Sequence, residues 1–552
     1  MTDHLKIALV QANPTVGDVA GNAELVRKAR AAAAAAGADL VLFSELFLVG
    51  YPPEDLVQKP SFQEAVTRTM QALATETNDG GPAILIGAPW REGDALHNAM
   101  LLCDGGQIAA IRYKHDLPNY GVFDEKRVFS SGPLPGPVNF RGVRLGIPIC
   151  EDIWQGDVVE CLAETGAEIL LVPNGSPYEV DKVDARMNRV VARVTESRLP
   201  LVYVNQYGGQ DELVFDGGSF VLNSDCTLAV QMPYWREGLV ITHWSRQAAG
   251  WRCAPGEGAA PPDAMEAIYQ AMMLGLRDYV NKNRFPGVLL GLSGGIDSAL
   301  SATVAVDALG PERVRCVMMP YIYTAQESLD DAAECAKLLG VRYDIVSIKP
   351  AVESFKEMLA PLFEGRAPDI TEENMQSRAR GLLLMALSNK FGEMVLTTGN
   401  KSEVSVGYAT LYGDMCGGYN TLKDIYKMTV FALSRWRNQH LPEGALGPSG
   451  RVIPENIITR PPTAELRADQ KDEDSLPPYE VLDDILNCLV EQEMSVAQVV
   501  ARGHQPDVVR RIQNLLYIAE YKRRQAAPGV KISSKIYGRD RRYPITNRFR
   551  DT

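Results

Sequence analysis

The segment GVLLGLSGGIDSALS, residues 287–301, places two glycines and two serines between a short apolar strand and the start of a helix. Backbone N–H groups at such a turn converge at the positive end of the helix, where they bind an anion. The spacing differs from GxxxxGK[ST], so it does not indicate a Walker-type enzyme. Further strands are predicted at 314–320, 343–348 and 394–399, with a helix at 327–340. This order predicts a doubly wound parallel sheet with its ligand at the carboxyl ends of the strands.

The first half of the chain alternates short apolar runs, bounded by Gly, Pro or Asn, with longer helical patterns. This alternation is typical of an α/β layered domain and not of an all-β one. The predicted strands are KIALVQ (6–11), DLVLFSE (39–45), AILIGAP (83–89), RLGIPIC (144–150), EILLVPN (168–174) and LVYVNQ (201–206), and the predicted helices are 21–36, 60–77 and 182–198.

A stretch rich in Gly, Pro and Ala, residues 245–264, separates the two halves. It contains no clear periodicity of apolar residues that would indicate a strand or a helix. Such composition is typical of a linker or of a connection that runs over the surface. The sequence therefore predicts an α/β protein with a first domain over 1–245, a linker over 246–264 and a second domain over 265–552.

The composition is that of an ordinary globular protein, with 46% hydrophobic and 23% charged residues in 552. The net charge of −13 disfavours non-specific binding of nucleic acid. Nine scattered cysteines without a CxxC pair fit neither a disulfide framework nor a zinc site. The sequence starts without a signal-peptide pattern, and the alanine-rich run at 31–37 is too short to cross a bilayer. We therefore expect a cytoplasmic protein that binds neither membranes nor nucleic acid.

Three residues suited to nucleophilic catalysis follow or end predicted strands of the first half. Glu45 follows DLVLFS, Lys114 follows AAIRY, and Cys150 ends GIPIC. A cysteine nucleophile needs a base to take its proton and a cation to stabilise the oxyanion, which Glu45 and Lys114 can supply. Taken singly, a cysteine is more often an inert buried thiol, and a glutamate or lysine a solvated charge.

The sequence around these residues resembles the glutaminase domains of the nitrilase superfamily, over residues 5–245 and in the same order. The matching segments are FSELFLVGYPPEDL, YKHDLPNYGVFDEKRVF and IPICEDIW. The resemblance implies an α-β-β-α sandwich with Cys150 as nucleophile, Glu45 as general base and Lys114 as oxyanion stabiliser. Glu125 corresponds to a second carboxylate that organises such sites. The implied glutamine contacts are Tyr120, Glu151, Ser176 and Lys182, with surface packing or solvation as the alternative for Tyr120 and Lys182.

The glycine loop of the second half resembles the pyrophosphate loop of the ATP pyrophosphatases, which split ATP into AMP and PPi. The match is to SGGxDS, and a Gly-rich turn with an N-cap residue would explain only two of its positions. Asp297 offers the hard oxygen ligands that Mg²⁺ prefers, and adenylation of an acid requires that ion. The implied ATP-binding residues are Gly291, Ser293, Gly294, Gly295, Asp297 and Ser298.

The segment LTTGNKSEVSVGYATLYGD, residues 396–414, resembles the TG-x-x-x-x-E element of the NAD synthetases. This resemblance implies that Thr398 contacts ATP and that Glu403 reaches both metal and substrate. One departure is Leu411, because ammonia-dependent members of that family carry a lysine in this neighbourhood. The contacts to the nicotinate side of the substrate must therefore be arranged differently in this chain.

Two more segments resemble the same family. ENMQSRARGLLL, residues 373–384, corresponds to a helix in which Asn374 is implied to meet the dinucleotide. RPPTAELRADQKDED, residues 460–474, corresponds to a mobile substrate loop that places Thr463 near the nucleotide phosphates.

The segment YKRRQAAPGVKISSKIYGRDRRYPITNRFR, residues 521–550, is strongly basic although the whole chain is acidic. The resemblance implies that Lys522 contacts a substrate phosphate. Solvated surface charge explains the basic residues of this segment equally well, residue by residue.

Together these resemblances imply an enzyme with Mg²⁺ as cofactor that uses ATP, deamido-NAD and either glutamine or ammonia, and that forms a homo-oligomer. Adenylation of the nicotinate carboxylate, followed by attack of ammonia, would give NAD, AMP, PPi and glutamate. Three alternatives stay open: a glutamine-fed ligase for another carboxylate, a tRNA-modifying thiolase and a non-catalytic nucleotide sensor. The acidic charge disfavours the thiolase, and the intact nucleophile, base and lysine disfavour the sensor.

We also expect the ammonia to pass inside the protein from Cys150 to the adenylate near 293–298. Only neutral NH₃ is nucleophilic, and water would protonate it and would also hydrolyse the adenylate. Glutamine labelled with ¹⁵N in its amide, mixed with unlabelled ammonium salt, should give NAD in which the carboxamide keeps a high label. Dilution to the isotope ratio of the bulk solution would contradict an internal channel.

Overall fold

The structure is a computed structural model that describes residues 3–256, 258–467, 470, 472–474 and 476–550. The chain forms two compact units, Met1–Pro262 and Asp263–Thr552. Within the described residues, no helix is both long enough and apolar enough to cross a membrane. Each unit is built around its own sheets.

The first unit contains fifteen strands and four α-helices among its described residues. In chain order these are β1 (His4–Gln11), α1 (Val19–Ala35), β2 (Leu40–Leu42), α2 (Pro60–Glu76), β3 (Ala83–Glu92), β4 (Ala95–Asp104), β5 (Gln107–Tyr113), β6 (Val138–Phe140), β7 (Val143–Gly146), α3 (Asp157–Glu164), β8 (Ile169–Asn174), α4 (Lys182–Ser197), β9 (Leu201–Asn205), β10 (Tyr207–Gln210), β11 (Leu213–Asp216), β12 (Phe220–Leu222), β13 (Leu228–Gln231), β14 (Gly238–Gln247) and β15 (Gly250–Cys253).

These strands form two large sheets and a two-stranded ribbon. The seven-stranded sheet has the order β15-β14-β1-β2-β3-β4-β5, the six-stranded sheet has the order β13-β12-β9-β8-β7-β6, and β10 pairs with β11. The central neighbours β1, β2 and β3 are parallel, as are β7, β8 and β9. Parallel central strands bring the carboxyl ends of several strands to one edge of each sheet.

Side chains alternate between two cores along the central strands, as the period of a β-strand requires. On β1, Ala8 packs into a core shared with α1 and α2, whereas Ile7 packs into a core shared with β8. The outer face of the six-stranded sheet packs against α3 and α4. These three apolar layers form the α-β-β-α sandwich that the resemblance implied.

The predicted linker is partly wrong. Residues Gly250–Cys253 form the edge strand β15, which pairs antiparallel with β14 inside the segment assigned to the linker. Trp251 and Cys253 point into the core, so burial of these side chains stabilises a strand that the surrounding Gly and Pro residues obscure in the sequence. Glu257, also in that segment, lies outside the described residues. The first unit therefore extends past the predicted boundary at residue 245.

The second unit consists of five strands and twelve α-helices among its described residues. They are α5 (Ala264–Lys282), β16 (Val288–Gly291), α6 (Ile296–Leu309), β17 (Val314–Met318), α7 (Gln326–Leu339), β18 (Arg342–Ile345), α8 (Lys349–Leu359), α9 (Ile370–Phe391), β19 (Met394–Thr397), α10 (Lys401–Val406), β20 (Tyr419–Asn420), α11 (Lys427–Gln439), α12 (Glu455–Thr459), α13 (Tyr479–Val490), α14 (Val496–Ala501), α15 (Pro506–Ile518) and α16 (Glu520–Arg523).

The five strands form one parallel sheet in the order β18-β17-β16-β19-β20. The chain starts at the centre with β16, proceeds outward to β18, and then returns to β19 on the other side of β16. The strand order thus reverses between β16 and β19. In open α/β sheets, ligands bind in the crevice beyond the carboxyl ends of strands at such a reversal. The predicted doubly wound parallel sheet is confirmed.

Candidate active sites

Three strand ends of the first unit carry the predicted nucleophile, base and cation. Lys114 directly follows β5, and Glu45 lies three residues after β2. Cys150 lies beyond β7, which ends earlier than predicted, and it begins the short 3₁₀ helix Cys150–Ile153. Its φ of 46° lies in the left-handed region, which is costly for a residue with a side chain. Such a conformation is typical of a functional position that its surroundings hold in place.

The ammonium group of Lys114 lies between two carboxylates in the interior. Its Nζ is 2.7 Å from Glu45 Oε1 and 2.9 and 3.0 Å from the two oxygens of Glu125. Lys114 and Glu45 are fully buried, and Glu125 is nearly so. Burial alone would lower the pKa of Lys114, but the two carboxylates hold it well above its usual value. Lys114 therefore keeps its positive charge at a buried position, where charge interactions are strongest.

The thiol of Cys150 is buried next to these charges. Burial raises its pKa well above the usual value, and the negative charge of Glu45 raises it further. The resting thiol is therefore protonated, so that attack on a carbonyl carbon requires a base to take the proton. Glu45 is held for that role, because its second oxygen Oε2 accepts a hydrogen bond from the backbone N–H of Gly175 at 2.9 Å.

Sequence reasoning missed two side chains that hold this centre. The hydroxyl of Tyr51 donates to Glu125 at 2.8 Å, and Asn98 Nδ2 donates to Glu45 at 2.7 Å. Tyr51 lies inside the matched segment FSELFLVGYPPEDL, so that segment contained its signal. Asn98 is an amide in the middle of the apolar strand β4, and a buried amide needs partners.

Asp152, two residues after the nucleophile, was also missed. Its carboxylate accepts hydrogen bonds from the backbone N–H groups of Ile149 (2.8 Å), His115 (3.1 Å) and Asp116 (2.8 Å). Burial raises the pKa of Asp152 to about 7. Asp152 thereby joins the chain just before Cys150 to the chain just after Lys114.

The predicted glutamine contacts differ in how deeply they are buried. Nearer the surface, the hydroxyl of Tyr120 donates to both oxygens of Glu151 at 3.0 and 3.1 Å. Lys182 begins α4, and its ammonium lies 5.7 Å from the centre of the ring of Phe123. Ser176 is buried below, where its hydroxyl accepts a hydrogen bond from a guanidinium of α4 at 3.1 Å. Tyr120 and Glu151 are thus in contact, whereas Ser176 already has a partner.

In the second unit, the loop after β16 forms the predicted anion cradle. Gly294 has a φ of +83°, and a Cβ there would lie 2.4 Å from the carbonyl oxygen of Ser328, so only glycine fits. Gly295 is the N-cap residue of α6. The hydroxyls of Ser293 and Ser298 are 3.1 Å apart. The first N–H groups of α6 and these hydroxyls are therefore arranged to bind phosphate oxygens.

Two predicted ligand carboxylates, Asp297 and Glu403, meet beside this loop. Asn400 connects them, because its Nδ2 donates to Asp297 at 2.9 Å and its Oδ1 accepts the backbone N–H of Glu403 at 3.0 Å. The ammonium of Lys427, which sequence reasoning missed, pairs with Asp297 and lies 3.4 Å from Glu403. Burial, followed by the charge of Asp297, raises the pKa of Glu403 to about 8. The cluster therefore has two carboxyl groups for one lysine, and Glu403 resists ionisation beside the charge of Asp297.

Three cavities surround the carboxyl ends of these strands. The phosphate loop, Thr398 and Glu403 line a cavity of about 230 Å³, together with Thr463, whose hydroxyl donates to the carbonyl of Gln470 at 2.6 Å. Ala468, Asp469 and Lys471 of the predicted substrate loop lie outside the described residues. A second cavity of about 240 Å³ begins at Gly291, and its lining includes apolar side chains of β17, β19 and α9 together with polar residues such as Arg380 and Glu465.

Asn374 and Lys522 line a third cavity, of about 1150 Å³, and not the one that contains the phosphate loop. Leu411 also lines it, and the backbone carbonyl of Leu411 accepts a hydrogen bond from Arg378 at 3.2 Å. The ammonium of Lys522 donates to the backbone carbonyls of Gly407 and Ala409 at 2.8 and 2.6 Å. Tyr408, Ala409, Asp414 and Ala464 line both this cavity and the phosphate cavity, so the two adjoin.

Known proteins resemble the chain over its full length. Residues 6–252 match the carbon–nitrogen hydrolase family, and residues 268–526 match the NAD synthase family. The chain is 53% identical over 551 residues to the glutamine-dependent NAD(+) synthetase of Rhodobacter capsulatus, with 100% of both chains covered. It is 45% identical over 545 residues to the enzyme of the same name from Acinetobacter baylyi, with 99% of both covered.

Solved structures of proteins with the same name also match the chain over nearly its full length. The glutamine-dependent NAD+ synthetase from Acinetobacter baumannii, solved in complex with adenosine diphosphate, matches with a TM-score of 0.79 and 43% identity over 99% of each chain. The enzyme from Cytophaga hutchinsonii has a TM-score of 0.82 at 21% identity over 99% of this chain and 98% of that one, which supports the fold alone. The chain therefore belongs to the family of glutamine-dependent NAD(+) synthetases, the ligases that use ATP and glutamine to amidate deamido-NAD in the final step of NAD biosynthesis.

Proposed function

We propose that the two units divide this reaction, with ammonia released from glutamine at Cys150 and the nicotinate carboxylate activated beside the loop 293–298. The observation that carries the proposal is the buried charge centre of the first unit. A protonated thiol, a carboxylate base and a fixed ammonium group are the parts that amide hydrolysis through a thioester needs. The phosphate loop of the second unit, with its adjoining carboxylates, supplies the parts for adenylation.

In the first unit, the sulfur of Cys150 attacks the amide carbon of glutamine while Glu45 takes the thiol proton. The ammonium of Lys114 stabilises the oxyanion that develops on the amide oxygen. Glu45 then gives its proton to the leaving nitrogen, which departs as ammonia and leaves a glutamyl thioester. Water attacks the thioester with Glu45 again as base, and glutamate is released with the thiol restored. Glu125 keeps Lys114 in place through both steps.

Replacing Tyr120 with phenylalanine should raise the KM for glutamine about 10-fold, because the hydroxyl that orients Glu151 is lost. The kcat with saturating ammonia should not change, since Tyr120 serves only the glutamine site. Steady-state kinetics with each nitrogen donor measure both quantities. Tyr113→Phe, at the end of β5, is the matched control and should leave the KM for glutamine and the kcat with ammonia unaltered. A normal KM for glutamine in Tyr120→Phe would remove Tyr120 from the binding site.

In the second unit, the phosphates of ATP bind the N–H groups at the start of α6, and the cavity that begins at Gly291 receives the adenine. Leu292, Val317 and Met319 line that cavity, and Arg380 closes it by donating to the carbonyl of Met319 at 3.0 Å. An oxygen of the nicotinate carboxylate attacks the α-phosphorus, so that pyrophosphate leaves and an acyl-adenylate forms. Ammonia then attacks the acyl carbon and AMP leaves, which gives the amide of NAD.

The carboxylates of Asp297 and Glu403 would hold the Mg²⁺ ion that such a step requires. Their hard oxygen donors, two carboxyl groups beside the single cation Lys427, fit that ion. Among the described residues, no cluster of three or more His, Cys, Asp or Glu is arranged around a metal position. The remaining ligands would therefore come from phosphate oxygens and water. The ion, when bound, neutralises charge on the departing pyrophosphate.

Deamido-NAD fits the large cavity that adjoins the phosphate site. Asn374 faces it, with its side-chain oxygen accepting a hydrogen bond from Thr410 at 2.9 Å, and Arg378 supplies positive charge for a phosphate. Lys522 lines the same cavity, but its ammonium already donates to two backbone carbonyls. Lys522 therefore acts on the substrate mainly through the backbone that it holds.

We also propose that the protein is a homo-oligomer that associates through the second unit. Apolar side chains are exposed on α8, α9 and β18, among them Met358 (60%), Leu382 (64%) and Ile345 (62%). We expect these side chains to form part of the interface, because large exposed apolar patches mark association sites. Leu382→Glu should lower the molar mass in solution, as measured by light scattering after gel filtration. Leu228→Glu, an exposed position of the first unit, is the control, and an unaltered mass in Leu382→Glu would contradict this surface.

A further inference from the structure

We propose that the basic C-terminal segment, residues 520–541, is a clamp that positions the helix carrying Glu403. We call this segment the C-terminal clamp. The sequence offered two interpretations of its basic residues, phosphate contacts or solvated charge. In the structure Arg523, Lys531 and Arg541 are buried. Arg523 binds α10, the helix of Lys401–Val406. The proposal rests on the function proposed above for Glu403.

The helix α10 has only six residues, too few to be stable by itself. Its last carbonyl groups lack partners within the helix. The clamp supplies these partners, because Arg523 donates to the carbonyl of Ser405 at 2.7 Å. Lys522 donates to the carbonyls just beyond the helix, those of Gly407 and Ala409. Two cations thus lie at the negative end of the helix, where they stabilise it.

The clamp also holds the first residue of the helix. Lys401 is fully buried, and its Nζ lies 2.7 Å from Asp424, 2.6 Å from the hydroxyl of Ser533 and 2.9 Å from the carbonyl of Lys535. It also pairs with Glu491. A buried ammonium group is tolerated only when such partners surround it. Since two of the partners belong to the clamp, the start of α10 depends on the clamp being in place.

Asp424 attaches the clamp to the body of the unit. Its carboxylate accepts the backbone N–H groups of Ile532 and Ser533 at 2.7 and 2.6 Å. Further along, the hydroxyl of Tyr537 lies 2.6 Å from the hydroxyl of Ser405 on α10. The guanidinium of Arg523 lies 4.8 Å from the centre of the Tyr537 ring. Each contact with α10 therefore comes from a part of the clamp that is itself fixed.

These contacts decide where Glu403 lies. Asn400 caps the helix and connects Glu403 to Asp297. The clamp binds the helix at both ends, at the buried Lys401 and at the carbonyl groups of the last turn. Glu403 lies between these two points, so a shift of α10 would move its carboxylate away from Asp297. Arg523, Ser533 and Tyr537 are thus positioning residues for adenylation, because they contact α10 and line none of the three cavities.

Tyr537→Phe tests the clamp with a small change, because it removes only the hydroxyl that contacts Ser405. Loss of one hydrogen bond should speed hydrogen exchange of the amides of 401–407 about 2- to 10-fold. The ammonia-dependent kcat should fall by a similar factor, while the KM for ATP changes less than about twofold. Ser405→Ala removes the same contact and also the bond from its hydroxyl to the carbonyl of Lys401 at 2.6 Å, so its effect should be at least as large. The double variant should be no worse than Ser405→Ala, because Tyr537→Phe then removes nothing further.

Tyr269→Phe is the matched control. It removes an equally buried hydroxyl in the same unit, one that donates to Asp307 at 2.5 Å. Exchange in 401–407 and kcat should stay normal in this variant. Lys401→Met is the stronger test and should reduce the ammonia-dependent kcat more than about 100-fold, because it leaves Asp424 and Glu491 buried without their cation.

Two results would overturn the proposal. One is normal exchange of 401–407 in both Tyr537→Phe and Lys401→Met, which would show that the segment does not hold α10. The other is faster exchange with an unaltered kcat, which would reduce the clamp to a stabilising role. The function proposed for Glu403 is tested separately. Normal turnover of Glu403→Gln would contradict that function, whatever the exchange of 401–407 shows.

Discussion

Cys150→Ala is expected to abolish NAD formation with glutamine while leaving synthesis with ammonia nearly intact. The thiol acts only on the amide of glutamine, so its loss removes the thioester route and should cost at least about 10⁴-fold in that rate. Synthesis from free ammonia needs only the second unit. The measurement is NAD production from deamido-NAD and ATP with each nitrogen donor in parallel. Glu45→Ala and Lys114→Ala should give the same pattern.

The control for this prediction is Cys103→Ala. Cys103 is a buried thiol of β4 in the same unit, and it packs in the core away from the charged centre. Its replacement should preserve both activities, which separates the loss of a nucleophile from the loss of a buried sulfur. An equal loss with glutamine and ammonia in Cys150→Ala would count against the assignment of separate tasks to the two units.

Asp297→Asn and Glu403→Gln are expected to reduce activity with either donor by about 100-fold or more. Each change removes a negative charge that would hold the cation beside the departing pyrophosphate. Formation of AMP and PPi from ATP and deamido-NAD is the measurement. Glu455→Gln, an exposed residue in the first turn of α12, is the control. Normal turnover with ammonia in either variant would show that its carboxylate is not a metal ligand.

The raised pKa of Glu403 makes this prediction depend on pH. Because the pKa is about 8, the carboxyl is largely protonated at neutral pH in the unliganded protein. A cation binds the ionised form, so the apparent affinity for Mg²⁺ should increase as the pH rises through about 8. Glu403→Gln should lack that dependence. Titration of Mg²⁺ at several pH values, followed by the rate of AMP formation, measures it.

Sequence patterns predicted most strands and helices well because their signals are local. The predicted helices 21–36, 60–77 and 182–198 correspond to α1, α2 and α4 to within two residues at each end. The predicted strand 144–150 instead ends at Gly146, and the chain turns into a 3₁₀ helix at Cys150. The apolar run continues because those residues stay buried, and burial alone does not distinguish a strand from a buried turn.

Side chains that act together across long separations were the hardest to predict. Asn98 contacts Glu45 from 53 positions away, and Lys427 contacts Asp297 from 130 positions away. Neither residue stands out locally, since a buried asparagine or lysine has the same sequence signal whatever its partner. Only the register of the sheets and the packing of the helices bring such pairs within hydrogen-bonding distance.

By itself, the sequence determined the two α/β units and predicted the phosphate loop, the nucleophile, the base and the cation. These depend on the order of strands and helices and on short motifs that must coincide, and both are properties of neighbouring residues. The tertiary structure alone decided that Gly250–Cys253 is an edge strand, that Tyr51 and Asn98 hold the charged centre, and that residues of the C-terminal clamp contact α10. Those outcomes depend on which surfaces meet when distant parts of the chain pack. Burial and hydrogen bonding between distant residues arise only in the folded state, so no local sequence pattern reports them.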